Sequence, residues 1–579
     1  MRRLLHVVFA LAIASMTIPT SGCSTFLDFD HFAGASDAGA RDAPSSDTSS
    51  DAPPSDTGRD APASDTGVDA PTFRTLTVTT MGGGTVTSSP TGIACGTTCM
   101  ADFLDGTPVM LTAMPDATSE LVSWGGACTG SAATCTVTLG AATSVQAHFA
   151  PRGSVRWVHQ ITFSGADGFE PEVVVAPDGN PIVGTVVDDG DGSDLFVAKL
   201  DRATGDVMWM QHLDTPTGEN LGGIALDDAG NVYATVTIQG FGTTYVVAGT
   251  TFTGDLYGNI ATYRLNGMTG AIEWGVQWGG GGQDRPQAIA VAGDNLWVAG
   301  GTSSSPASFG SGFTFSAAVD DGFVVRASTQ TGGVNRVQHF SGGGTVVNGI
   351  AANSTHAVVV GSVFNAVTVD ACSMHPSGSG YDTFIASFAT SDLSCAWSRV
   401  AGDSVSSNSN GINAVAPMPD GGWVATGYFS GGILFATSGS SLASHGMSDA
   451  FAVRYGPNGE HVWSFRYGGT GSDSGNAVTT LSTGETFLAG SFNSPSILFG
   501  TFTLNGPSQV FVTRMTAGAT PTHDWAVALG GDGPDRPEGI AVDAAGNPYV
   551  SAYFNGMTTV GGTALTGADY DTWVAALVR

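Results

Sequence analysis

From Trp157 to Arg579 the chain repeats one pattern, and a repeat of this kind limits the fold before any local propensity does. An aromatic residue just ahead of a Gly-rich loop recurs at Trp157, Trp209, Trp274, Trp397, Trp463 and Trp525, and Arg336 stands at that place in the one unit that lacks it. The spacing of about 60 residues fits four short strands with their turns. Three further runs follow in fixed order. The first is made of small residues, as in GGIAL (222–226), QAIAV (287–291) and EGIAV (538–542). The second follows turns such as DDAGN (227–231) and DAAGN (543–547), and the third opens on an acidic or amide residue: Asp194, Asn259, Asp321, Asp382, Asp449, Gln509 or Asp571. Each run is short, rich in β-branched and aromatic residues, and bounded by turn formers, which is the signature of strands.

Four strands per unit with no helical segment predict an all-β chain whose residues 152–579 form a seven-bladed β-propeller, with the small-residue strand nearest the axis. The region begins with a strand of the outer type, SVRWVHQI (154–161), and ends on one of the third type, DTWVAALVR. The first is therefore expected to complete the last blade, which would remove two sheet edges open to aggregation. The succession GGxGxD, GIAVDxxGNxYVxG and DxFVARY resembles the bacterial SBBP-type seven-bladed propeller repeats over roughly residues 154 to 579. It departs from them at DTPTGEN in the second unit and at Arg336. The resemblance implies an extracytoplasmic binding or surface role and supplies no catalytic residues.

Residues 72–151 read as a separate small β module, with alternation and turn signals about every ten residues. Its GIACGTTC, TPVMLTAMP and SWGGAC segments resemble the divergent internalin-B-type bacterial repeat, a family whose modules act as spacers or adhesive stalk units. Ahead of it, residues 23–71 hold a nine-residue period of Asp, Pro, Ser and Thr (DAPSSDTSS, DAPPSDTGR, DAPASDTGV) that buries too little to offset ordering entropy and predicts a disordered, extended tether. Residues 1–22 combine two arginines with a short apolar run and small residues, the pattern of a secretory signal. TSGC resembles a lipobox with Thr20 in place of leucine, which implies lipidation of Cys23; Ser24 after it resembles the outer-membrane sorting pattern, on the periplasmic or cell-surface side. Acyl chains would then hold the chain at a membrane.

Beside Cys23 there remain Cys95, Cys99, Cys128, Cys135, Cys372 and Cys395, an even set that reads as disulfides in an exported chain. Cys95 with Cys99, Cys128 with Cys135 and Cys372 with Cys395 is one pairing. Cys95 with Cys128 and Cys99 with Cys135 is another, and the first four could instead bind zinc. The net charge of −31 disfavours nucleic acid and suits cations, basic partners or simple solubility.

No metalloprotease helix, nucleophile elbow, dinucleotide fingerprint or phosphate loop occurs, and the histidines are scattered. Strand alternation sends the long, variable loops to one end of a propeller and the short regular turns to the other, so binding is expected at the long-loop end. That end carries Asp167, Asp284, Arg285, Asp403, Asp473, Asp535 and Arg536. These residues either contact a ligand or cap their own Gly-rich turns. Asp189, Asp191 and Asp194 in DDGDGSD supply oxygens that could hold calcium, though the distal Glu of an EF-hand is missing. No other cofactor is implied. The expected function is a lipid-anchored envelope scaffold offering its loop face to a protein or glycan. The alternatives are a polysaccharide lyase or hydrolase using paired carboxylates there, or a purely structural envelope protein.

Overall fold

A computed structural model describes residues 70–579, apart from residues 97, 163–167, 189–191, 318–320, 343, 378–379, 403–408, 437–440, 507–508 and 532. The expected signal, Cys23 and almost all of the tether fall outside the described residues, as do Asp167, Asp189, Asp191 and Asp403.

The module is two four-stranded sheets. One orders Thr98–Leu104, Phe73–Met81, Thr143–Pro151 and Ser119–Gly126, and the other Ala94–Cys95, Gly84–Ser89, Pro108–Pro115 and Thr134–Thr138. Alternation explains the layering: Leu76, Val78, Val109, Leu111, Val145 and Ala147 point into a shared core with Trp124, while their neighbours face outward. Cys128 is bonded to Cys135. Cys99 is disulfide-bonded as well, so the crossed pairing and the zinc reading both lapse.

Among the described residues the rest of the chain is seven four-stranded sheets with five small two-stranded ones in their loops. The second is typical: Gly218–Leu226, Val232–Gln239, Asn259–Leu265 and Ile272–Trp278, each antiparallel to the next. Innermost strands lie against one another in sequence, Gly168–Val175, Gly218–Leu226, Asp284–Ala292, Thr345–Ala352, Gly411–Pro417, Asp473–Thr480 and Arg536–Val542, and the last returns to the first. Apolar clusters fill every junction between neighbouring sheets. At the closing junction Tyr549, Val574 and Ala576 pack on Val183, Phe196 and Leu200. This is a β-propeller. Its seventh sheet contains Arg536–Val542, Pro548–Val560, Thr563–Leu577 and, as its outer strand, Val155–Ile161. The strand nearest the module thus closes the ring, as the sequence order requires.

Candidate binding face

Two ends of the ring differ in kind. At one, tight turns repeat the same hydrogen bonds. Asp227 Oδ1 accepts from the Ala229 and Asn231 amides at 3.0 and 2.8 Å, and Asp543 Oδ1 accepts from the Ala545 and Asn547 amides at 2.9 and 2.8 Å. Such Asx turns are self-contained and leave little that could vary. The other end carries the connections from the second strand to the third within a sheet and from the fourth strand of one sheet to the first of the next. Several of these hold extra hairpins, such as Thr244–Val247 with Thr250–Thr253 and Ser496–Phe499 with Phe502–Asn505.

Of the aspartates singled out from the sequence, the described Asp284, Asp473 and Asp535 stand at this second end but point inward. Asp284 is fully buried; its Oδ2 accepts from the Gly280 amide at 2.7 Å and the Ser304 hydroxyl at 2.7 Å, and its Oδ1 accepts from Thr302. Asp473 accepts from the Gly469 amide at 2.9 Å, the Asn493 and Ser494 amides at 3.1 and 3.2 Å, and the Ser494 hydroxyl at 2.6 Å. Asp535 repeats the arrangement with the Gly531 amide at 3.0 Å and the Thr558 hydroxyl at 2.9 Å. Each cements its own Gly-rich loop to the following hairpin. Burial raises the carboxyl pKa of Asp284 and Asp535 even against these donors. Asp284 and Asp535 belong to the third and seventh sheets, so they do not form the carboxylate pair that a lyase or hydrolase of that design would need. Arg536 pairs with Glu538 at 2.9 Å on the innermost strand, and Arg285 occupies the matching place in the third sheet.

Asp194 does not sit in an open carboxylate loop. It is buried, accepts from the Thr215 amide at 2.8 Å, and lies beside Glu219. Glu219 Oε1 accepts from the hydroxyls of Thr215 and Thr217 at 2.7 and 2.8 Å. Burial, reinforced by the Asp194 carboxylate, pushes the Glu219 carboxyl up to about 9. The DTPTGEN departure is thus a local rebuild in which Glu219 takes the place that Asp284, Asp473 and Asp535 hold elsewhere. Among the described residues no group of His, Cys, Asp and Glu is arranged to hold a metal ion.

What the sequence did not single out is the apolar surface at the long-loop end. Phe241, Leu256 and Tyr257 in the second sheet are exposed, as are Phe364, Met447, Leu498 and Met557 in later ones. At the tight-turn end Met268 is exposed, as are Val207, Met208 and Val462 where outer strands leave their turns. The signal was present: QGFGTTY and GDLYGN place aromatic residues within Gly- and Thr-rich loops, where no turn requires them. Cys372 and Cys395 bond to each other, tying the fourth sheet's loop hairpin to its outer strand.

Comparison with known proteins agrees for the module: residues 74–153 match the model of the divergent InlB B-repeat domain. The chain is thus a β-propeller preceded by a B-repeat module. An uncharacterized WD repeat-containing protein of Acanthamoeba polyphaga mimivirus is 26% identical over 155 residues, a match spanning 24% of this chain and only 11% of that protein. Solved structures that align include the WD40 β-propeller domain of Doa1, at 8% identity and a TM-score of 0.38 over 74% of this chain and 97% of that one. The Dos1 propeller aligns at 10% identity and a TM-score of 0.34 over 73% and 94%.

Proposed function

We propose that this chain is a lipid-anchored scaffold of the cell envelope, of the SBBP-repeat kind, held at the outer membrane through Cys23 and presenting the long-loop end of its propeller to a protein or glycan. The observation that carries the reading is the contrast between the two ends. One is a set of short turns, several of them Asx turns of the same form; the other combines irregular hairpins with exposed Phe241, Leu256, Tyr257, Met447 and Met557. Exposed apolar side chains grouped on irregular loops are a hallmark of association.

The join to the module supports the same reading. Arg152 and Gly153 meet the ring at its tight-turn end, where Arg152 pairs with Asp524 at 3.2 Å and the Gly153 amide donates to the Val578 carbonyl at 2.8 Å. The long loops therefore open at the end opposite the join to the module.

Two measurements test the proposal. Cys23→Ser is expected to move the chain from the detergent phase to the aqueous phase and to abolish incorporation of labelled fatty acid; unchanged partitioning removes the anchor. Surface-protein pull-downs and glycan arrays with the full chain are expected to yield a ligand whose contacts protect the long loops from hydrogen exchange. Protection confined to the tight turns would defeat the binding-face assignment.

A further inference from the structure

We infer that the second sheet's long loop is a docking seat for a positively charged protein segment, with Asp255 receiving an Arg or Lys side chain among exposed apolar neighbours. This rests on the reading of the long-loop end as the binding face, and it narrows that reading from any partner to a basic polypeptide.

The first support is the form of the seat. Phe241 is 86% exposed, Leu256 51% and Tyr257 54%. The backbone beneath them is pinned. The Gly240 amide donates to the Asp255 carbonyl at 2.9 Å, the Gly242 amide to Gly254 at 3.0 Å and the Gly254 amide to Thr243 at 2.9 Å. Phe241 on one branch of the loop and Asp255, Leu256 and Tyr257 on the other are therefore carried side by side. Below, Tyr245 stacks on Phe252 at 5.3 Å, Phe252 packs on Tyr263, and the two tyrosine hydroxyls lie 2.9 Å apart, anchoring the loop hairpin to the sheet. Displayed apolar groups on an ordered support lose little conformational entropy on binding. Asp255 is half-buried, and its Oδ1 accepts from the Tyr257 amide at 2.9 Å, which orients the carboxylate. Among the described residues no Lys or Arg pairs with it.

The second support is where the positive charge lies. On the propeller, the described Arg residues at the long-loop end are Arg285, Arg466 and Arg536. Arg466 is taken by buried Asp449 at 2.6 Å and Arg536 by Glu538 at 2.9 Å. The remaining described Lys and Arg residues of the propeller serve the tight-turn end, as in Lys199 with Asp178 at 2.7 Å, Arg264 with Glu273 at 2.8 Å and Arg514 with Glu485 at 3.1 Å. In a chain of net charge −31, this leaves the long-loop end, with Asp188, Asp214, Asp255 and Asp370, as the more negative of the two. Its field would draw in and orient a cationic segment. A neutral glycan would stack on the aromatic rings but gain nothing from that field.

The test uses the full chain and three probes: a peptide alternating Arg and Leu, its counterpart alternating Glu and Leu, and chitohexaose. Fluorescence anisotropy follows binding at low and moderate salt, and hydrogen exchange locates it. The Arg-Leu peptide is expected to bind and the Glu-Leu peptide not to. The affinity should fall about tenfold or more as screening shortens the reach of the charges, with protection over residues 238–259. Asp255→Asn at a half-buried loop position and the double variant Phe241→Ser/Tyr257→Ser at exposed ones, each checked for an unchanged melting temperature, should each weaken binding at least severalfold. Equal binding by the native chain and both variants would reduce the effect to diffuse attraction by an acidic protein and overturn the inference. So would chitohexaose binding at residues 238–259 while the peptide fails. Protection elsewhere on the long-loop end removes this seat but leaves the face standing; protection at the tight turns by every bound probe removes both.

Discussion

Where the third strand of one sheet meets the first strand of the next, two side chains share one buried place. The Asp284 amide donates to Gly258, setting Asp284 beside Asn259; the Asn410 amide donates to Tyr381, setting Asn410 beside Asp382. In both junctions one partner is an acid and the other an amide, so no like charges meet. Where both are acids, something else compensates. Asp473 lies beside Asp449, which holds Arg466. Glu219 lies beside Asp194, with His212 4.0 Å away and a proton retained on Glu219. The sign of the pH effect follows. A carboxyl whose folded pKa rises from 4.5 to about 9 stabilises fully below the unfolded value, and that contribution fades as pH climbs toward 9. Glu219→Gln is thus expected to raise the melting temperature at pH 8–9 by a few degrees and to flatten its decline between pH 5 and 9. A variant that melts with the native pH profile would show that no proton is held there. His523 works at the other limb: burial among Phe465, Tyr467 and Phe499 lowers its imidazole to about 4. Its share of stability is present above pH 6.5 and is lost as pH falls through 4. His523→Gln should therefore lessen acid sensitivity in a melting series from pH 7 to 4.

At several junctions a turn glycine is seated on the preceding sheet's tryptophan. Cβ atoms at Gly205, Gly270 and Gly459 would stand 2.7, 2.6 and 2.6 Å from Trp157, Trp209 and Trp397. Each indole in turn donates to a carbonyl of that turn: Trp157 to Arg202 at 3.0 Å, Trp209 to Gly267 at 3.2 Å and Trp397 to Pro457 at 2.8 Å. In the third sheet Arg336 replaces the tryptophan, and the facing turn of the fourth sheet has Leu393, at φ 63°, where those three have glycine. The two departures are one event: without an indole face to lie on, the turn no longer needs the missing Cβ. Arg326 supplies the lost hydrogen bond by donating to the Thr390 carbonyl. Gly270→Ala is expected to cost about 1–3 kcal/mol, from the clash and from its φ of 73°. Gly249→Ala, at a φ of 80° but with open space where its Cβ would stand, should cost less, since no indole waits beneath it. Denaturant midpoints of the two variants decide this; equal losses would refute the seating.

At this scale the sequence showed its limits as well as its reach. Strand order, the turn sequences and the odd Arg336 were all readable, because each is written in spacing and residue type. The inward aim of Asp284, Asp473 and Asp535 was not. A residue's place in a loop fixes its end of the ring, but its direction depends on Ser304, Ser494 and Thr558, which come from a distant part of each repeat. The coupling of Glu219 to Asp194 likewise spans two sheets, and only the packed ring brings them together.

For the molecule as a whole, closure is the decisive contact. Val155–Ile161 pairs with the last strand from Ile161 opposite Thr572 to Val155 opposite Leu577. A chain lacking residues 1–161 should expose that strand's edge and self-associate. The check is size-exclusion chromatography with hydrogen exchange at residues 571–577; a monodisperse monomer with slow exchange there would mean the ring holds without its clasp.

The linker does more than connect. Gly153, with φ 76°, lies against Trp525 as Gly205, Gly270 and Gly459 lie against Trp157, Trp209 and Trp397, standing in for the turn that the seventh sheet lacks. Arg152 bridges Glu120 of the module at 2.9 Å and Asp524 of the sixth sheet at 3.2 Å, and Asp524 also holds Arg514. A mechanical pull arriving along the amino-terminal segment is consequently shared with the sixth sheet before it can peel the clasp from the seventh, so the ring can bear load at the seam where it was zipped shut.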